Sequence, residues 1–422
     1  MPKFAIKSIL DLESNVFDRQ ERIDWWSQDK VVNAKIMVIG AGAIGNETLK
    51  NLALLGVRNI FVVDFDTISK SNLSRTVLFR SSDVGLKKSE IAAKRTRELC
   101  LSENSNIDWF HGDVVWDLGT GIYREMDLVL GCLDNIETRF HVNRQCMLAQ
   151  TPWIDAGIME LGVRVTPYLA SEPPCYECGM TKEQREAIRK RYSCDDFKRA
   201  MFQEGKIPTV QIASSIASAI QVQEAMKYLC GQQIQWGKAI YYQGKINDFD
   251  VNQIPIKPEC AAHVTYGQIT SLPIQSTIRL REFLSMLSET QFSGEKTTLT
   301  LEADRYMIIS TRCRSCGEII EFYRPAFRIF DSETVCRKCN DKGIEVSQFD
   351  PNVRSEKKTV SEFDLDQTES RILDMTLQEL GVPLWHIVTI KDQLGIARQY
   401  ELIGDRDVLI PSFSKISNNA LS

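Results

Sequence analysis

A strand-like run, Lys35-Ile36-Met37-Val38-Ile39, leads straight into Gly40-Ala41-Gly42-Ala43-Ile44-Gly45 and then into a helix-like stretch. Glycines at this spacing after a strand constrain the chain more than any other feature. Gly40 allows a tight turn, Gly42 lets the backbone approach a phosphate, and Gly45 lets the next helix pack against the sheet with its positive end towards the ligand. Asp64 follows at the end of the apolar run Asn59–Val63. It lies about 20 residues past the glycines, where an acidic side chain can hold ribose hydroxyls. Glycines and Asp64 alone fit an NAD-dependent oxidoreductase as well as any other nucleotide-binding protein.

The next residues narrow the reading. Asp66 follows, Asn72 and Arg75 lie three apart in Ser71-Asn72-Leu73-Ser74-Arg75, and Lys88 opens a helix after Gly85. Polar donors and two cations around a triphosphate suit phosphoryl or nucleotidyl transfer, in which charge builds on phosphate oxygens. Asp134-Asn135 closes the apolar stretch 127–133. A carboxylate there can hold Mg²⁺, which prefers oxygen ligands. Any one of these charges could be a solvated surface group, but as a set they describe an ATP site.

The surroundings predict an α/β fold. Residues 36–39, 59–63 and 128–130 read as strands, and 47–55 and 89–99 as helices. Such alternation gives a Rossmann-like domain, a mostly parallel sheet with helices on both faces. The expected organisation is a helical arm over 1–34, an ATP-binding α/β domain over 35–265 and a smaller β-rich domain over 266–422. Residues 209–230 read as a long helix of small and apolar residues, and 238–256 as a hairpin. In the last domain 297–302, 306–310, 318–323 and 400–403 suggest strands, while 340–370 is polar and reads as loop. A length of 422 residues suits two or three domains.

The net charge of -5 gives no electrostatic case for nucleic acid or an anionic membrane. The N-terminus lacks the apolar core of a signal peptide, and no apolar run reaches the ~18 residues of a membrane span. The cytoplasm is the expected location. In that setting twelve cysteines point to metal or thiol chemistry rather than disulfides.

Cys175-Tyr-Glu-Cys178 and Cys260-Ala-Ala-His263 together make a Cys₃His set, a normal tetrahedral zinc shell. Cys313-Arg-Ser-Cys316 and Cys336-Arg-Lys-Cys339 have zinc-ribbon spacing. Four thiolates leave no open coordination position, so the ribbon reads as structural. Cys194 has no such partner. Arg189, Lys190 and Arg191 before it favour a thiolate, while Asp195 and Asp196 oppose one, which leaves a nucleophile and an incidental loop thiol both open. Cys100, Cys132, Cys146 and Cys230 sit in apolar contexts and read as packed core thiols.

The segments GAGAIG, VVDFDTISKSNLSR, VGLKKSEIA and CLDNIETR resemble the ATP-binding core of the ubiquitin-activating-enzyme superfamily, which includes the MoeB/ThiF-type adenylyltransferases. The likeness covers about residues 10–265. Ala43 stands where the family usually has a glycine. The resemblance implies that Asp64 holds ribose, that Asn72, Arg75 and Lys88 contact phosphates, and that Asp134 supports Mg²⁺ and the reacting carboxylate. It implies a homodimer in which an arginine of an N-terminal Arg-Gln segment, here Arg19-Gln20, reaches the partner's site; Arg22 is the substitute. It also places a thioester-forming cysteine in the segment that holds Cys194. The implied partners are a ubiquitin-like or sulfur-carrier protein, activated at its C-terminal tail, and a conjugating enzyme, with a bacterial ubiquitin-like conjugation system as the setting. The extra β-rich domain favours conjugation over sulfur transfer. The rival readings are a sulfur-carrier adenylyltransferase, the oxidoreductase and a non-catalytic scaffold.

Overall fold

A computed structural model describes residues 16–102, 104–185, 209–292, 298–329, 333, 336–340 and 356–413. Cys194 lies outside the described residues. The first sheet has eight strands in the order β3-β2-β1-β4-β5-β6-β7-β8. These are β1 Lys35–Ile39, β2 Asn59–Val63, β3 Asn106–Phe110, β4 Leu128–Gly131, β5 Trp153–Met159, β6 Gly162–Tyr168, β7 Lys238–Gln243 and β8 Asp248–Gln253. Pairing is parallel from β3 through β5 and antiparallel from β5 to β8. β2 is buried along its whole length and β1 nearly so. Continuous apolar runs of this kind, rather than alternating ones, are what a sheet covered on both faces requires. The antiparallel extension is where the expected parallel sheet gives way to hairpins.

The helices around this sheet are α1 Ala43–Leu55, α2 Lys88–Leu99, α3 Thr120–Glu125, α4 Ile136–Ala149 and α5 Gln211–Leu229. α1 ends on Gly56, whose φ of 89° is the left-handed conformation that stops a helix without a Cβ penalty. α5 buries Ala213, Ser214, Ala217 and Ser218, which lets its backbone lie close to α1 and to β5 and β6. Its Gln221 donates to the carbonyls of Gly131 and Ile154 and accepts from Thr48, so this buried amide is satisfied.

The second sheet runs β11-β10-β13-β14-β9, with β12 also paired to β10. Its strands are β9 Ile269–Leu272, β10 Thr300–Arg312, β11 Ile319–Pro325, β12 Glu356–Phe363, β13 Ile387–Lys391 and β14 Ala397–Leu402, and the helix α6 Leu280–Gln291 packs in its core. The two strands expected at 297–302 and 306–310 are one strand, β10. The stretch read as loop contains β12, because its exposed Lys, Thr and Glu side chains conceal strand pairing. β13 and α6 carried no clear signal.

The sheets meet along a buried seam. Gly119 and Gly121 donate to the carbonyls of Leu384 and Trp385. A Cβ on Gly121 would lie 2.2 Å from the Trp385 ring. Trp385 Nε1 donates to Glu401, which also pairs with Arg124, and Arg406 pairs with Glu125. Leu409, Ile410 and Phe413 then join the core of the first sheet. No helix among the described residues is long and apolar enough to cross a membrane.

Candidate functional site

The glycine loop joins the C-terminal end of β1 to α1. Gly40 has φ 94°, and a Cβ there would meet the Cys132 carbonyl at 2.4 Å. A Cβ on Gly45 would sit 1.9 Å from the Gly40 carbonyl oxygen. Both glycines are therefore demanded by the protein itself. Gly42 is different, since a Cβ there meets nothing within 4 Å. It caps the N-terminus of α1, where N–H groups and the helix dipole favour an anion. Asn46 braces the loop from beneath, donating to the carbonyls of Ala41 and Gly42 and accepting from Leu78 N–H.

From this loop a continuous chain of bonds leads to a cation. Asp64 Oδ2 accepts from Ala41 N–H at 2.7 Å and Oδ1 from Asp66 N–H at 2.7 Å. Asp66 Oδ2 accepts from Lys88 Nζ at 2.7 Å, and Lys88 N–H donates to the Asp66 carbonyl. Burial pushes the Asp64 carboxyl up, against the opposing pull of the Lys88 charge and two backbone N–H groups. Lys88 is itself 8% exposed at the first residue of α2. The structure thus brings Gly40, Gly42, Gly45, Asp64, Asp66 and Lys88 together. Asp66 faces Lys88, which makes it the lysine's partner.

Asn72 and Arg75 are placed by a tight turn. Asn72 Oδ1 accepts from Ser69 N–H at 2.8 Å, so its carbonyl oxygen serves the turn. Arg75 donates from Nη1 to Thr209 Oγ1 at 3.3 Å, and no hydrogen bond ties it to the Asp66–Lys88 chain among the described residues. Asp134 is exposed after β4; its Oδ1 accepts from Asn135, whose own oxygen caps α4 at Thr138 N–H. Arg19 is exposed on a short helical turn, Asp18–Glu21. That turn is anchored at the wrong end of α1 for its own site. Gln20 and Gln28 donate to the Leu55 carbonyl, and Phe17 packs on Gly56. A helix of 13 residues puts its two ends roughly 18 Å apart.

Two sulfur clusters have metal geometry. Cys175, Cys178, Cys260 and His263 form one, with sulfur pairs at 3.9 and 3.8 Å and Cys178 Sγ 3.4 Å from His263 Nε2. Cys313, Cys316, Cys336 and Cys339 form the other, with sulfur pairs at 3.8 and 3.5 Å. Tetrahedral zinc with bonds of about 2.3 Å to sulfur puts neighbouring sulfurs about 3.8 Å apart, so both donor sets fit zinc. Cys175, Cys178 and Cys260 of the first cluster join a core of the first sheet, whereas Cys313, Cys336 and Cys339 of the second form a small buried cluster of their own and Cys316 is exposed.

Sequence reasoning missed the buried pair beneath Asp134. Arg139 Nε donates to Asp155 Oδ1 at 2.8 Å, and Asp155 is 2% exposed at β5. Thr209 and Asn46 were missed as well, since a lone Thr or Asn carries no pattern.

A model of the ThiF family matches residues 16–262, more than half of the 422-residue chain. The chain belongs to the ThiF family. This ThiF-family chain is 41% identical over 151 residues to SUMO-activating enzyme subunit 2 of Dictyostelium discoideum, covering 36% of this chain and 22% of that protein. It is 44% identical over 111 residues to the NEDD8-activating enzyme E1 catalytic subunit of Caenorhabditis elegans, covering 26% of this chain and 25% of that one. The match thus spans about a quarter of the length of these curated relatives. Among solved structures, Escherichia coli MccB with ATP is similar over 60% of this chain and 75% of that chain, at 22% identity and a TM-score of 0.49.

Proposed function

We propose that this ThiF-family chain is an activating enzyme that adenylates the C-terminal carboxylate of a ubiquitin-like protein. The single observation that carries the reading is the bonded chain Ala41–Asp64–Asp66–Lys88, which fixes a buried ammonium beside a ribose-type carboxylate and an open glycine loop. An oxidoreductase site has no need of that ammonium.

In this reading ATP lies with its ribose at Asp64 and its phosphates at the N-terminus of α1. A carrier carboxylate oxygen attacks the α-phosphorus, the bond to the bridging oxygen breaks, and pyrophosphate leaves. Lys88 and Arg75 stabilise the charge that builds on the phosphates, each by exchanging its present partner, Asp66 or Thr209, for phosphate oxygen. Asp134 would hold Mg²⁺, which when bound neutralises phosphate charge. Arg19, held too far from its own site, serves the site of a second copy, which makes the working unit a homodimer. Zinc at Cys175, Cys178, Cys260 and His263, and at Cys313, Cys316, Cys336 and Cys339, is structural. Cys194 then attacks the carrier's acyl adenylate, expelling AMP, and the thioester passes to a conjugating enzyme recruited by the second sheet's domain.

The test is intact-mass analysis of the protein with ATP·Mg²⁺ and a carrier encoded beside it, for wild type and Cys194→Ala. A thiol-labile, carrier-sized adduct present only with wild type is the expected result. Adenylated carrier without such an adduct moves the reading to sulfur-carrier adenylation. Neither species, together with no ATP–pyrophosphate exchange, sinks it.

A further inference from the structure

The loop between β4 and α4 carries Asp134 on a small, rigid frame. Arg139, on the first turns of α4, sends its guanidinium back under that loop. Its Nη2 donates to the carbonyl of Leu133 at 2.5 Å, next to Asp134, and to the carbonyl of Ala156 at 3.3 Å. Nε donates to the buried carboxylate of Asp155 at 2.8 Å. One side chain therefore ties three pieces of the chain together: the Asp134 loop, α4 and the middle of β5. Gly157 leaves room for it, because a Cβ there would lie 3.1 Å from Nη2. Burial opposes the Arg139 charge, and the neighbouring Asp155, Tyr176 and Asp134 outweigh it, so the guanidinium stays charged.

The frame points to a division of labour. Asp134 is exposed, and its one bond from a side chain, Asn135 Nδ2 to Oδ1 at 3.2 Å, leaves Oδ2 without a protein partner among the described residues. A carboxylate that is to hold a divalent cation needs such a free oxygen, and it also needs its backbone fixed, since ligand groups act through the contacts that orient them. A flexible loop would spread Asp134 over many positions. The fork of Arg139 is suited to preventing this, because planar, divergent donors reach several acceptors at once and a lysine ammonium on a flexible stem does not.

We infer that Arg139 is a positioning residue for metal binding: with Asp155 it locks the Leu133 carbonyl so that Asp134 is held ready for the divalent cation that accompanies ATP. The inference rests on the adenylation reading above. It adds a residue and a task that the glycine loop, the Asp66–Lys88 pair and Asp134 do not cover.

The experiment uses the full chain and Mn²⁺ as the probe. Mn²⁺ binding is titrated by electron paramagnetic resonance with ATP present, and metal-free ATP binding is measured by calorimetry. Arg139→Met strips the buried Asp155 of its partner and risks misfolding. Arg139→Lys, which keeps the charge beside Asp155 but loses the fork, is therefore the deciding variant. Expected is a loss of Mn²⁺ affinity of about 10-fold or more, the usual consequence of removing a residue that orients a metal ligand, with metal-free ATP affinity within about twofold of wild type. Asp134→Asn should lose Mn²⁺ affinity at least as strongly. Arg139→Lys with wild-type Mn²⁺ affinity overturns the inference, and so does a loss confined to metal-free ATP binding or to folding. A wild-type chain that binds no ATP is a separate failure, that of the adenylation reading itself.

Discussion

At the seam between the two sheets, Trp385 fills the space that Gly121 leaves, so closely that a single added carbon would lie 2.2 Å from its ring. At the nucleotide loop, Gly42 leaves a space that no atom of the described residues fills within 4 Å. Around Trp385 the polar groups are likewise spent on one another: Glu401 takes both Arg124 and Trp385 Nε1, and Glu125 takes Lys35 and Arg406. At the loop, Lys88 and Arg75 hold partners they can exchange, and Arg19 is exposed at the far end of α1. Filled space and paired charge belong to stability. Open space and exchangeable charge belong to a ligand. The two regions should therefore separate cleanly when each is damaged.

The largest effect is expected from Trp385→Ala. Its ring is 2% exposed and closes the seam, so truncation should cost about 3–5 kcal/mol of stability. Denaturant unfolding reads the loss, and the folded fraction should still bind ATP with wild-type affinity. A stable variant that no longer binds ATP would break the separation, because the seam would then be serving the site.

Acid comes next, and it acts on the same seam. Burial, with Arg305 and His386 nearby, pulls His141 down to about 3, while the exposed Asp304 pulls the other way. In the unfolded chain His141 takes a proton near 6.5. Between those values the unfolded state holds more protons, so stability must fall as pH drops through that window. Glu125 adds to the fall at the acid end. Burial would raise its carboxyl, but Lys35 and Arg406 together hold it below the usual range, and that contribution is lost as pH falls through the folded value. His141→Asn should flatten the slope of unfolding free energy against pH between 6.5 and 3. An unchanged slope would remove His141 from the account.

How legible each region was in the sequence follows the same division. The grouping of the loop residues could be read because nucleotide-site chemistry implies a spacing, Gly40 to Gly45, then Asp64, then Lys88, and the structure brings these residues together. The two cysteine sets could be read because their spacing is that of zinc-ligand pairs, and the structure gathers Cys175, Cys178, Cys260 and His263, and Cys313, Cys316, Cys336 and Cys339, into two clusters that fit zinc. The seam has no such external template. Trp385 meets Gly121 only because the segment before β13 and the start of α3 are brought side by side, 264 positions apart in the chain, and neither residue marks the other in the sequence. β12 was hidden because its pairing with β10 is a matter of backbone bonds beneath exposed polar side chains. Arg139 lay in full view, one turn past Asn135, but its task depends on the Leu133 carbonyl, and backbone acceptors have no letter in a sequence.

Lys88→Ala tests the loop side. It removes a charge-assisted bond to phosphate worth about 1.5–3 kcal/mol, or roughly 10- to 100-fold in ATP affinity. Its ion-pair partner among the described residues, Asp66, has a half-exposed side chain and can turn to water, so stability should move by less than about 1 kcal/mol. A comparable fall in melting temperature and in ATP affinity would mean that Lys88 is holding the fold rather than waiting for a ligand.

The smallest and sharpest test is a single methyl group. Gly42 has a φ of -77°, outside the left-handed region, and its missing Cβ would touch nothing within 4 Å among the described residues. Gly42→Ala should therefore leave stability unchanged or raise it by up to about 1 kcal/mol through the stiffer unfolded chain. ATP affinity should nevertheless drop about tenfold, because the methyl occupies the space through which backbone N–H groups approach phosphate. Gly45→Ala is the control with the opposite signature. Its methyl would lie 1.9 Å from the Gly40 carbonyl oxygen, a backbone atom that cannot step aside, so the loop itself must give and stability must fall. If Gly42→Ala binds ATP like wild type, phosphate does not approach at that glycine, and the open space at the head of α1 needs another occupant.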